Sequence, residues 1–197
     1  MKIIGGKWKG RNFYMPAEIR PTQNIIRKAL FDLIGQDLEG LTFVDLFAGS
    51  GAMGLEALSL GASKVLFIEK NPQCIKVIEE NIALLNSRNE HFSQSDMGEC
   101  QVLEEDSFAS IKELASEGQK FDIVFVDPPY ERGMAKKILK TLEAYDIVAA
   151  NSVVAIQHDR REILPESNGH LALFRERQYG SSCLSLYKVL TSNSKEI

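Results

Sequence analysis

The chain has 197 residues, 44% of them hydrophobic and 25% charged, with a net charge of −4. That size suits one domain with a small appendage, and the composition is that of a soluble globular protein, not a fibrous or disordered one. No apolar run approaches the roughly 20 residues of a membrane span, Met1–Lys7 lacks the apolar core of a secretion signal, and three cysteines and three histidines lie far apart, so a cytoplasmic protein without disulfides or metal is expected.

Residues 1–15 read as a hairpin: Ile3-Ile4 leads in, Gly5-Gly6 and Gly10 permit turns, and Phe13-Tyr14 leads out. Thr22 is a good N-cap for a helix in which Ile25, Ile26, Ala29, Leu30, Leu33 and Ile34 recur at helical spacing. From residue 42 strand and helix alternate. Strands are expected at Thr42–Leu46, Lys64–Ile68, Gln101–Glu104, Phe121–Val126 and Ser152–Gln157. Helices are expected at Ala52–Leu60, Pro72–Leu85, Ser107–Ala115 and Gly133–Ala144, with a polar irregular stretch over 87–99. Leu171–Arg177 and Cys183–Leu190 flank Tyr179-Gly180-Ser181 and predict a closing antiparallel pair. Three parts follow: a hairpin-and-helix extension (1–40), an alternating α/β domain (41–190) whose βα units imply a parallel sheet with right-handed crossovers, and a flexible tail (191–197).

Asp127-Pro128-Pro129-Tyr130 carries the most chemistry. It follows the buried-strand run Phe121–Val126, which the two prolines end because neither has a ladder N–H. A carboxylate, a carbonyl-rich turn and an aromatic ring therefore stand at the C-terminal end of a strand, where open α/β sheets bind ligands. Asp127 and the Pro128 carbonyl can each accept one N–H of a planar NH2 group, and Tyr130 can stack on a base. The plainer alternative is a proline turn with a surface Tyr.

Gly49-x-Gly51-x-x-Gly54 lies where the first strand meets its helix, with Asp45, Phe47, Ala48 and Ser50 around it. The spacing fits a nucleotide-binding loop. Asp45 would meet a pyrophosphate unfavourably but suits an ammonium group, and Phe47 can border a neutral, sulfonium-bearing ligand. Glu69, before Lys70-Asn71, stands about 20 residues after the start of the loop, the distance at which a carboxylate takes both ribose hydroxyls; otherwise it is a solvent-facing strand end. Asp106-Ser107-Phe108 closes the series: Asp106 can accept from an adenine amine and Phe108 can pack on the ring, or the trio is a helix cap with a core Phe. Charge is uneven as well. Seven cations against one carboxylate in residues 1–28 leave +6 there and −10 on the remainder, so Lys7, Lys9, Arg11, Arg20 and Arg27 are candidate phosphate contacts, or else ordinary solvated surface.

The glycine loop, Glu69, Asp106 and Asp127–Tyr130 resemble, in order, the motifs of S-adenosylmethionine-dependent amino-methyltransferases. Ile3–Arg11, Arg20-Pro21-Thr22 with Arg27, and Phe47–Ala57 are similar to the bacterial RsmD-type enzymes, and the resemblance runs from about Met1 to Leu190. It implies a Rossmann-like class I methyltransferase fold: a mostly parallel seven-stranded sheet with an antiparallel C-terminal strand and an N-terminal β-hairpin/helix extension that binds RNA. It implies S-adenosylmethionine held by Asp45, Phe47, Ala48, Gly49, Ser50, Gly51, Gly54, Glu69, Lys70, Asn71, Asp106, Ser107 and Phe108. The catalytic set it implies is Asp127, Pro128, Pro129 and Tyr130, acting on the N2 amine of one guanine in 16S ribosomal RNA, in a 30S subunit or assembly intermediate, with no metal or membrane. The rivals are a DNA or RNA adenine-N6 methyltransferase, for which 197 residues leave little room for a sequence-reading domain, a protein methyltransferase acting on an amide, and a non-catalytic nucleotide-binding protein associated with RNA.

Overall fold

Local apolar runs become strands and 3.6-residue periods become helices, in the expected order. The computed structural model describes residues 1–15, 24–87, 98–129 and 133–190, and the chain divides into two compact units, Met1–Ser107 and Phe108–Ile197. The N-cap expected at Thr22 and the tail 191–197 lie outside the described residues, as do Arg20, Tyr130 and most of the polar 87–99 stretch.

The first unit contains α1 (Asn24–Ile34), β1 (Thr42–Asp45), α2 (Ala52–Ser59), β2 (Lys64–Glu69), α3 (Pro72–Ser87) and β3 (Glu99–Glu104). β1 and β3 both pair with β2 in parallel, Asp45 opposite Phe67 and Glu69 opposite Glu104. Val65 to Ile68 are buried without interruption, the pattern of a strand covered on both faces. Parallel register brings the C-terminal ends of all three strands, Asp45, Glu69 and Glu104, to one edge. That edge is the site's foundation.

α2 is buried along its whole length, which a helix apolar all round requires. Its one charged residue, Glu56, is 1% exposed. The N-terminal arm resolves this conflict. Glu56 Oε1 accepts the Gly5 N–H at 2.5 Å and the Ile4 N–H at 3.0 Å, and Arg27 Nε stands 3.3 Å from Oε2. Arg27 is itself fully buried; its Nη2 donates to the Lys2 carbonyl at 2.6 Å and to Asn24 Oδ1 at 3.0 Å. At the other end of α2, Ser59 donates to the Gly5 carbonyl and accepts the Trp8 N–H, and its own carbonyl takes the Lys7 N–H. Gly6, at φ 68°, passes so close that an added Cβ would stand 1.9 Å from the Ser59 carbonyl oxygen; only glycine fits. Ile3, Trp8 and Phe13 are buried in this seam. The expected hairpin forms, Met1 and Phe13 exchanging backbone hydrogen bonds and Ile3 bonding to Arg11 and Gly10 around the Lys2–Asn12 bridge, and the contacts to α1 and α2 make it a strap over both helices.

The second unit takes in α4 (Ser107–Ser116) from its second residue, then β4 (Phe121–Val126), α5 (Met134–Ala144), β5 (Val148–Asp159), β6 (Ser167–Asn168), β7 (Leu171–Tyr179) and β8 (Ser182–Val189). β4 and β5 are parallel; β8 runs antiparallel to both β5 and β7, and β6 pairs with β7. The closing antiparallel pair thus lies where expected. Two details differ. The described strands number three in the first unit and five in the second, against seven expected, because β6 is too short to show a period of two. β5 begins at Val148, not Ser152, because Asn151 adopts φ 63° and the register with β4 shifts there; such a bulge breaks the alternation from which a strand is read. No described helix is long and apolar enough to cross a membrane.

Candidate active site

At the edge of the first unit the chain leaves β1 at Asp45 and turns through Leu46–Gly51 into α2. Gly49 (φ 54°) and Gly51 (φ 77°) hold conformations that side chains rarely adopt. Gly54 faces Phe67 so closely that a Cβ would meet its ring at 2.2 Å. Of the three glycines in the motif, the first two therefore shape the loop and the third lets α2 lie on β2. Asp45 is 1% exposed, Ala48 and Ser50 are buried, and Phe47 is half-buried.

Glu69 ends β2 and ties the loop to the second strand. Its Oε2 accepts the Gly49 N–H at 2.8 Å, and its Oε1 accepts the N–H groups of Lys70 at 2.9 Å and Asn71 at 2.8 Å. A carboxylate offers about four acceptor sites, so about one is left for a ligand hydroxyl, fewer than the two that taking ribose hydroxyls was expected to need. Lys70 and Asn71 are exposed. Asn71 caps α3, its Oδ1 accepting the Gln73 N–H at 2.9 Å. Both residues orient Glu69 through their backbone.

Two residues brace this edge from below. Ser107, 4% exposed, donates from its hydroxyl to the Leu46 carbonyl, so it supports the loop from within the protein. Asp106 beside it is exposed. Asn81 on α3 was not anticipated. Fully buried, it donates to the carbonyls of Tyr14 (3.0 Å) and Ser50 (3.3 Å) and accepts the Tyr14 N–H at 2.6 Å. A polar residue at an inward-facing position of α3 was its one available signal.

In the second unit Asp127 follows β4 and is half-buried, Pro128 is buried and Pro129 exposed. Tyr130 lies outside the described residues. Phe108 is half-buried and its ring carries Lys137 Nζ at 4.5 Å from the centroid, a cation–π contact on the ring expected to pack against adenine.

The basic residues separate into two kinds. Lys9 is exposed. Lys7 and Arg11 are half-buried, Lys7 over the Trp8 ring at 4.8 Å and Arg11 donating to the Leu85 carbonyl at 3.2 Å. Arg20 lies outside the described residues. Arg27 is a correction: its guanidinium is enclosed against Glu56 and the Lys2 carbonyl. Burial holds its pKa below the ordinary value although Glu56 pulls it upward, and it presents no surface to a phosphate. Among the described residues no group of three or more His, Cys, Asp or Glu is positioned to hold a metal ion.

The model of a protein family described as "Conserved hypothetical protein 95" matches residues 1–188. The chain is 30% identical over 190 residues to the ribosomal RNA small subunit methyltransferase D of Escherichia coli K12, covering 95% of this chain and 89% of that one. Its structure is similar to that of a putative methyltransferase, yhhF, from Escherichia coli, with a TM-score of 0.79, 29% identity and coverage of 98% and 99%. A putative methyltransferase crystallised with SAH shares the fold at a TM-score of 0.66 and 14% identity, over 87% of this chain and 50% of that one.

Proposed function

The chain belongs to the Conserved hypothetical protein 95 family, that of the RsmD-type methyltransferases, and from that membership we propose that it methylates the exocyclic N2 amine of a guanine in 16S ribosomal RNA, within a 30S subunit or an assembly intermediate in the cytoplasm. Methyl transfer dependent on S-adenosylmethionine is the coarse activity of the family. The observation that carries the reading in this chain is Glu69, fixed by three backbone N–H groups at the edge of parallel strands and bonded to the glycine loop. A carboxylate so held, with acceptor capacity left for a hydroxyl, fits the ribose of a nucleoside cofactor. The loop residues Phe47 to Gly51 border it, and Asp106 and Phe108 are the candidates for the adenine.

When bound, S-adenosylmethionine supplies an electrophilic methyl group on a sulfonium. The chain's own residues handle the amine. An aromatic amine is a weak nucleophile because its lone pair is delocalised into the ring. Asp127 and the Pro128 carbonyl each accept one of its N–H groups, orient the nitrogen and favour its pyramidal form. Once methylated, the nitrogen releases a proton, and Asp127 is the base bonded to it. Tyr130 stacks on the base, which a loop presents or which leaves its helix.

The test is incubation with labelled S-adenosylmethionine and either naked ribosomal RNA or 30S particles from cells lacking the modification, followed by mapping of the label. Label on a guanine N2 is expected. Label on adenine or on protein would put one of the rivals in its place. Glu69→Ala is expected to weaken cofactor binding by about 2–3 kcal/mol, the value of hydrogen bonding to a charged group. Glu69→Gln should be nearly as harmful, because its NH2 must face a backbone N–H. Calorimetry showing parental affinity for both variants would remove Glu69 from the site.

The arm supplies the phosphate contacts through Lys7, Lys9 and Arg11, with Arg20 as a further candidate. Neutralising Lys7, Lys9 and Arg11 together should weaken RNA binding and flatten the dependence of log affinity on log salt by about two to three units. Cofactor affinity should not change. A parental salt slope in the triple variant would move the RNA surface elsewhere, first to Lys136 and Lys137 on α5.

A further inference from the structure

Tyr14 combines a fixed backbone with a displayed ring. Its N–H and C=O are both held by the Asn81 amide, at 2.6 and 3.0 Å, and the same amide nitrogen donates to the Ser50 carbonyl of the glycine loop at 3.3 Å. Asn81 is 0% exposed whereas Tyr14 is 55% exposed, an unusual display for so large a ring. A buried amide committed to three backbone groups holds the Tyr14 backbone and the loop in one geometry. The ring projecting from it loses only side-chain freedom when it is covered.

We propose that Tyr14 is a stacking platform for an unpaired nucleobase of the RNA substrate, held beside the cofactor loop by Asn81. The inference rests on the RNA reading above and adds a subsite to it. The occupant follows from the surroundings. An exposed aromatic face on a basic segment, with Lys9 and Arg11 three to five residues before it, is the combination that binds single strands, bases on the ring and phosphates on the cations. The arm also supplies a length. Tyr14 is tied to Ser50 just before α2, and Lys7 to Ser59 at its end. The eight residues of α2 span roughly 12 Å, the length of three to four stacked nucleotides at about 3.4 Å each. A strand lying along the arm therefore places one base on Tyr14 near the cofactor loop and its neighbours' phosphates toward Lys9.

The experiment compares the parent protein with Tyr14→Ala and Tyr14→Phe on 30S particles lacking the modification and on naked 16S ribosomal RNA. Tyr14→Ala is expected to weaken RNA binding and raise KM for RNA about ten- to a hundred-fold, the range of one base–aromatic stack. Its salt slope, cofactor affinity and melting temperature should match the parent, because no phosphate contact, cofactor contact or buried group is removed. Tyr14→Phe, which keeps the ring face, should behave as the parent. The platform is overturned if Tyr14→Ala binds RNA like the parent, if Tyr14→Phe fails as badly as Tyr14→Ala, or if the loss appears as a smaller salt slope. A parent that neither binds nor methylates either RNA overturns the RNA reading and the platform with it. A parent active on RNA with an indifferent Tyr14→Ala variant overturns the platform alone.

Discussion

Replacing Asp127 with alanine should lower methyl transfer to the RNA by about 10²–10³ in kcat, the usual loss when one preorganised hydrogen-bonding group is taken from the reacting centre. The same variant should bind S-adenosylmethionine within a few-fold of the parent, because the candidates for the ribose and the cofactor loop, Glu69 and Phe47 to Gly51, lie in the first unit whereas Asp127 follows β4 of the second. The division of labour is the point of the test. A group that only held the cofactor would change its dissociation constant; a group that holds the amine changes turnover at saturating cofactor. Asp127→Asn should fall between parent and alanine, since the amide keeps one acceptor but loses the charge. Single-turnover assays on 30S particles, beside calorimetry with the cofactor, give both quantities. Near-normal turnover in Asp127→Ala would sink the amine-holding mechanism.

Removing the Glu56 carboxylate should be the most damaging change to stability. Glu56→Ala leaves the fully buried Arg27 guanidinium without its counter-charge and takes the acceptor from the N–H groups of Ile4 and Gly5. Breaking one side of a buried pair typically costs 3–5 kcal/mol, hence ~3–5 here, which in a chain of this size is a fall of roughly 6–20 °C in melting temperature. The pair is a lock more than a source of stability. Burial raises the Glu56 pKa, against the pull of the Ile4 N–H, Arg27 and the Gly5 N–H, and burial lowers that of Arg27. Each partner is thus pushed toward its neutral form. The sign for pH follows. A carboxyl whose pKa is higher folded than unfolded contributes stability that is full below its ordinary pKa and is lost as pH rises through the folded value. Relative to Glu56→Gln, the parent should therefore lose stability as pH rises across that interval. Replacing Glu56 and Arg27 together with apolar residues should be milder than Glu56→Ala alone. A Glu56→Ala variant that melts with the parent would show that the strap is not held through this residue.

What the sequence determines by itself is whatever depends on neighbours along the chain. The apolar runs of β1, β2 and β4, the helical spacing of α1, and the turn chemistry that ends strands at Asp45, Glu69 and Asp127 are all local, so the strand-end carboxylates and the glycine loop could be read before any contact was known. Parallel register then brings Asp45, Glu69 and Glu104 to one edge, a consequence of the βα alternation itself. What only the tertiary structure decides is which polar groups are used up inside. Arg27 counted as one more cation of a basic arm until Glu56, 29 positions later, enclosed it. Asn81 reads as an ordinary helical polar residue, yet it joins Tyr14, 67 positions away, to Ser50, 31 positions away. Ser107 reads as part of a strand-end trio, yet its hydroxyl proton goes to the carbonyl of Leu46, 61 positions away. The physical reason is common to all three. Chain-local propensity reports what a residue prefers, whereas a buried polar group must be satisfied by whatever partner the fold brings within about 3 Å, and no period or spacing records that partner.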